Sequence, residues 1–307
     1  SFDDGENWQP LRLNMPATSI RDIVVHGDDL VVATHGRGFW ILDDVTPLRQ
    51  IGQGAKSLAG APFLYAPQTA VRVRRNRYTD TPLPPEEPVG QNPPDGAILD
   101  YVLGAPPRAP VTLEILDAKG ALVRRFASDD VPEPLVEPLV VPLYWVRPPR
   151  VLSAAPGMHR FVWDLRLPPP PVLAHEYPIS AIRGDTPKEP LGRFVLPGAY
   201  TVRLTVDGAV LTRPLTVKMD PRVTMSAADL NAQFALLQRI TNALERLDAG
   251  PAKAAPSRDR AALEAAFLGV YGIVEGADAA PTPQVELAIG DLERRLNAAL
   301  AETASAR

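Results

Sequence analysis

Proline is the residue that most limits what this chain can become. There are 35 of them, about twice the usual share, and they cluster. A ring-locked φ and a missing backbone N–H keep proline out of helix interiors and central strands. The stretch VPEPLVEPLVVPLYWVRPPRV (131–151) can therefore be neither. It reads as an extended arm whose Leu and Val side chains, with Tyr144 and Trp145, dock on a surface. YTDTPLPPEEPVGQNPPDG (78–96) and residues 168–193 read as two more proline-rich excursions. Regular structure is left to what lies before, between and after them.

What lies before and between them is β. In IRDIVVHGDDLVVATHGRGFWILDD, strand patterns at 23–25, 30–34 and 39–42 are separated by Gly27-Asp28-Asp29 and Gly36-Arg37-Gly38 turns. This predicts one antiparallel meander of the kind that builds a propeller blade. Ahead of it stands SFDDGENW, with Ser1, Asp3, Gly5 and Trp8 in the spacing S-x-D-x-G-x-x-W. Phe2 reads as a strand end and Asp4-Gly5-Glu6-Asn7 as a turn. Ser1 and Asp3 can bond backbone N–H groups across that turn, and Trp8 can fold back over it. The partner strand is missing upstream, so the chain is expected to open inside a repeat. A lone blade (1–50) cannot bury both faces and is expected to borrow its cover from the sheets that follow.

Residues 51–96 read as an extended linker and 97–222 as a β-sandwich with proline-rich insertions. Its strands are AILDYVL, VTLEILDAKGALVRRF, HRFVWDLR and AYTVRLTVDGAVLTRPLTVKMD. Val111, Leu113 and Ile115 alternate on one face, Phe161 and Trp163 alternate with Val162 and Asp164, and hairpin turns fall at Asp117–Gly120 and Asp207-Gly208. From 223 to 307 the period becomes helical. Ser226 and Asp229 form a capping box ahead of Leu230, Phe234, Leu237, Ile240, Leu244 and Leu247. After a linker at 249–257 a second helix runs through Leu263, Phe267, Val270 and Val274. A third opens on Thr282-Pro283 and continues through Val285, Ile289, Leu292 and Leu296. The fold class is mainly β with a C-terminal α part: an incomplete blade, a sandwich, and a three-helix bundle or helical hairpin. Each buried Leu or Phe contributes on the order of 2 kcal/mol to holding the helices together or against the sandwich.

Composition excludes several functions. A net charge of −4 gives no electrostatic footprint for nucleic acid. Cysteine is absent, which removes disulfides and thiolate metal sites. No apolar run is long enough to span a membrane. His26, His35, His159 and His175 show no HxH or HExxH spacing, so no metal or other cofactor is expected. The acidic doublets Asp28-Asp29, Asp43-Asp44, Glu86-Glu87 and Asp129-Asp130 read as solvated turns. Glycoside hydrolysis needs two carboxyls facing one sugar across a groove, which neighbours on a turn cannot provide. GxSxG, P-loop and GxGxxG patterns are missing. No catalytic residue is assigned. His35 beside Arg37 at a turn, and Tyr144-Trp145 with Trp163, are the candidate binding residues, each weighed against a structural reading as a backbone-bonded turn and buried rings.

The ordered motifs do resemble something. SFDDGENW matches the Asp-box of BNR-repeat propellers, as in sialidases, sortilin-type receptors and xyloglucanases. DLVVATHGRGFWILDDVTPLRQ, NPPDGAILDY, HRFVWDLR, YPISAIRGDTP, LPGAYTVRLTVDG and VKMDPRV, in that order, resemble the C-terminal third of large bacterial Asp-box proteins. The resemblance spans Ser1 to about Leu300. It implies a last propeller blade, then an immunoglobulin-like domain similar to that of flagellar hook-capping proteins, then helices. It also implies export to the periplasm or the extracellular space, and an upstream propeller of the same protein as partner, with a protein or glycan as a further one. The alternatives it carries are an accessory part of a glycoside hydrolase whose carboxylates lie upstream, and a sortilin-like receptor or scaffold module. The linker AGPAKAAPS stands where such proteins tend to continue a long helix.

Overall fold

The computed structural model describes residues 1–52, 61–75, 81–87, 90–172, 175–178, 182–249 and 258–305. Parts of both proline-rich excursions, and all of the linker AGPAKAAPS except its first residue, lie outside these. The chain is mostly sheet with a C-terminal helical part.

The first sheet holds β1 (Ile20–His26), β2 (Asp29–Thr34) and β3 (Phe39–Leu42), antiparallel in the order β1-β2-β3. These are the three expected strands. No strand precedes β1 among the described residues, so Phe2 does not end one. Its ring instead lies against Gly52, where an added Cβ would stand 3.0 Å away. Gly52 closes α1 (Thr46–Gly52), a helix the sequence reading missed. Pro47 falls at its start, where no backbone N–H is needed, and Asp44 accepts from the Thr46 N–H at 2.9 Å and the Thr46 hydroxyl at 2.6 Å.

Two further sheets face each other across one core. The segment expected as a linker supplies β4 (Phe63–Leu64) and β5 (Ala70–Arg72), so it is built into both of them. The smaller sheet runs β4-β6-β9, with β6 at Ala97–Leu103 and β9 at Gly157–Trp163. The larger runs β5-β11-β10-β7-β8, with β7 at Thr112–Asp117, β8 at Leu122–Ala127, β10 at Gly198–Val206 and β11 at Ala209–Met219. Leu99, Tyr101 and Trp163 from one sheet meet Leu113, Ile115, Val202 and Leu204 from the other. Asp207 and Gly208 both take positive φ (48° and 82°), as a tight two-residue hairpin turn requires. At Gly96 (φ 137°) any Cβ would meet the Trp163 carbonyl oxygen at 2.0 Å, so only glycine fits beside β9.

The helical part comprises α2 (Ala227–Ala249), α3 (Arg258–Glu275) and α4 (Pro283–Ser305). Ser226 Oγ accepts from the Asp229 N–H at 3.1 Å and donates to the Asp229 carboxylate at 2.7 Å, closing the predicted cap. Leu237, Ile240, Leu244, Phe267, Ile289 and Leu296 form the shared core. Phe234 is the exception on α2: half-buried, it lies under the Arg193 guanidinium, 4.8 Å from its ring centre.

Ions join the helices to the sheets. Glu275 accepts from Arg74 at 2.9 Å and Arg166 at 2.7 Å, and Asp278 from Arg72 at 2.5 Å and Arg74 at 3.2 Å. All three guanidiniums surround the Phe194 ring. Tyr271 donates to the Leu191 carbonyl at 2.7 Å, and Gln233 to those of Val274 and Ala277. These polar contacts add to the apolar burial expected to hold the helices, and the sequence reading did not anticipate them.

The first sheet is not covered by the paired sheets, contrary to expectation. Ile23, Val24, Val25, Phe39 and Ile41 are all exposed. The join is a corner. Arg160 on β9 holds the buried Asp100 with two 3.0 Å hydrogen bonds, and donates to the carbonyls of Asp43 at 2.7 Å and Asp44 at 3.1 Å. Gln50 pairs with both backbone groups of Ala66 at 2.9 Å.

Candidate functional site

Ser1, Asp3, Gly5 and Trp8 come together as a closed turn. Ser1 Oγ donates to Asp3 at 2.8 Å and accepts from the Gly5 N–H at 2.7 Å. The Asp3 carboxylate takes the Asn7 backbone N–H at 2.9 Å and the Asn7 side-chain amide at 2.6 Å. Trp8 folds back, its indole N–H donating to the Gly5 carbonyl at 2.9 Å. Gly5 has φ 97°, and an added Cβ would meet the Trp8 ring at 3.7 Å. Hydrogen bonds from the Asn7 side chain and backbone, then from Ser1, bring the Asp3 carboxyl down to about 2. A carboxylate held this way, already accepting three hydrogen bonds, acts as a fastener.

His35 and Arg37 are exposed on the β2–β3 turn. Their recorded bonds are backbone ones: the His35 N–H donates to the Ser19 carbonyl at 2.9 Å and the Arg37 carbonyl accepts the Trp40 indole N–H at 2.9 Å. The structure brings neither to a cleft. Tyr144 and Trp145 sit in a single 3-10 turn (Leu143–Trp145) of the proline arm, ring against ring at 6.1 Å. Trp163 is not their neighbour in packing; it is fully buried between the paired sheets and donates to the Arg166 carbonyl at 3.0 Å. The arm docks on the other proline-rich excursion. Tyr144, Trp145 and Arg147 exchange backbone bonds with Gly184 and Thr186, and Val141, Val146 and Tyr177 form a small core there.

Between this double arm, the rim of the paired sheets and α3 lies a cleft of about 1920 Å³. Among the described residues, seven arginines and seven acidic side chains line it, with Tyr144 on its wall. Arg147 Nε donates to Asp185 at 2.5 Å, while Arg75 stands 3.4 Å from Asp95 and Arg150 3.4 Å from Asp164. Burial pushes the Asp95 carboxyl up; Arg75 opposes this and the Asp185 charge adds to it. Burial likewise pulls the Arg150 guanidinium down, against Asp164 and with Arg147. Sequence reasoning passed over these six residues. They lie on the extended linker, the proline-rich excursions and the end of the strand HRFVWDLR, and only the fold brings such distant segments together.

No cluster of three His, Cys, Asp or Glu able to hold a metal occurs among the described residues, and no helix there is long and apolar enough to cross a membrane. No family model, curated protein or solved structure matches the chain.

Proposed function

We propose that the chain is a non-catalytic module of an exported Asp-box propeller protein. In this reading β1–β3 is the last propeller blade, the paired sheets are an immunoglobulin-like domain, and the sheet docks on neighbouring blades of the same protein. The resemblance of the ordered motifs suggests the family, and one observation supports the docking: the sheet has apolar residues exposed on both faces. Cross-strand partners share a face. Val24, Val31 and Ile41 therefore lie on one, Ile23, Val32 and Trp40 on the other, by the register of the three strands. Val24 and Ile41 are 50% and 60% exposed, and Ile23 is 57% exposed. Isolated sheets of this size are marginal in water and need a packed neighbour.

The test is association with adjoining Asp-box blades of the same gene, made as a separate polypeptide and followed by analytical ultracentrifugation. A one-to-one complex is expected, weakened at least about tenfold by Val24→Lys or Ile23→Lys. The chain itself should turn over no substrate in a panel of glycans and peptides. A chain that ignores those blades, or one that hydrolyses any panel member, defeats the reading.

A further inference from the structure

We infer that the charge-balanced cleft between the double proline arm and α3 is a binding site for a neutral oligosaccharide. The docking sheet contributes no residue to this cleft.

Charge comes first. Among the described residues, arginines and acids line the cleft in equal number, seven of each. An anion entering it would meet carboxylates at every turn, and a cation guanidiniums. An apolar ligand would strip water from all of them, at a cost of several kcal/mol per ion. A ligand without net charge that both donates and accepts avoids all three penalties.

Spacing narrows the class. Arg75 and Asp95, and again Arg150 and Asp164, stand 3.4 Å apart, longer than a good charge-assisted hydrogen bond. Arg75 Nε and Arg74 Nε, both on the cleft lining, are buried without a hydrogen-bond acceptor. A hydroxyl group can accept from a guanidinium and donate to the adjacent carboxylate through a single oxygen. An amide cannot, since its donor and acceptor are different atoms, so a peptide satisfies such pairs poorly. A chain of sugar hydroxyls satisfies them in series. The half-buried Tyr144 ring on the wall offers the apolar surface that the C–H face of a sugar covers. At about 1920 Å³ the space exceeds the 300–1,000 Å³ or so of a typical small-molecule pocket, which favours several sugar units over one.

The experiment uses the whole chain. It is screened on an array of neutral oligosaccharides alongside oligogalacturonates and unmodified peptides, and hits are measured by calorimetry. A neutral oligosaccharide should bind with Kd below about 1 mM. Arg150→Gln and Asp185→Asn should each weaken it at least tenfold, whereas Arg239→Gln, in the α2–α4 surface pair with Glu293, should leave it unchanged. Should the cleft variants not fold, hydroxyl-radical footprinting of the unaltered chain decides: bound sugar must protect Tyr144 and leave Trp8 reactive. Absence of any neutral hit, preference for the uronates or peptides, or protection away from Tyr144 overturns the assignment. Because blade docking is read by sedimentation with a different partner, either conclusion can fail alone.

Discussion

Asp3 carries the N-terminal turn, and the turn's response to acid follows from its bonds. The carboxyl lies at about 2 in the folded chain against an ordinary 3.8. A group lowered in this way favours the closed turn fully above its free value, and the contribution disappears as pH falls through about 2. The indole N–H of Trp8, bonded to Gly5 inside the same turn, reports the change. Its NMR shift should hold steady down to about pH 3 and move with a midpoint near 2. Asn7→Ala, which removes the largest lowering influence, should raise that midpoint; a midpoint near 3.8 in the unaltered chain would show that the carboxylate is not held. This turn was legible in the sequence because every partner lies within a few residues. Ser226 with Asp229 was legible for the same reason. Phe2 was not: the residue type suits a strand end, but only the position of Gly52, fifty residues on, decides where its ring rests.

Between elements, the ion clamp shows why long-range polar contacts escape sequence reading. Arg72 and Arg74 precede a proline-rich loop, Arg166 follows β9, and Glu275 ends α3 with Asp278 just beyond it, some two hundred residues away from the first pair. Periodicity carries no information about such pairings, whereas it does give the apolar stripe of α2 almost residue for residue. Burial alone would raise the Glu275 carboxyl, but Arg166 and Arg74 outweigh it and hold it below its usual 4.5. The clamp is therefore intact above that value and is lost only as pH drops beneath it. Glu275→Gln removes the charge while keeping the shape, and leaves the buried Arg166 and the partly buried Arg74 facing a neutral amide. Breaking a buried pair from one side costs about 3–5 kcal/mol, and the loss should fall on docking, since the shared core of α2–α4 does not include Glu275. Limited proteolysis of Glu275→Gln should then release an intact helical fragment where the unaltered chain resists. An unchanged cleavage pattern would mean that the apolar contacts suffice.

At the scale of the molecule, the cover expected for the first sheet and the cover it has are different, and the difference has a kinetic signature. The sequence pattern correctly gives three strands and a need for neighbours, yet it cannot say that the neighbour is absent from the described structure. The paired sheets and the helices each enclose a core of many fully buried side chains, while every residue of β1 is exposed and β2 is only half-buried. What ties the sheet down is the corner where Arg160 grips Asp100 and the Asp43 and Asp44 carbonyls. Local opening free energy follows buried apolar contact, so amide exchange should divide the chain sharply. Amides of β1–β3 should exchange at least about a hundredfold faster than those of β6, β10 and α2, a gap equivalent to about 2.7 kcal/mol. Adding the adjoining blades should slow β1 and β3 selectively and leave β10 as it was. If β1–β3 is already as protected as the paired sheets in the chain alone, then the sheet is stable without a neighbour, and its exposed valines and isoleucines no longer argue for a docking face.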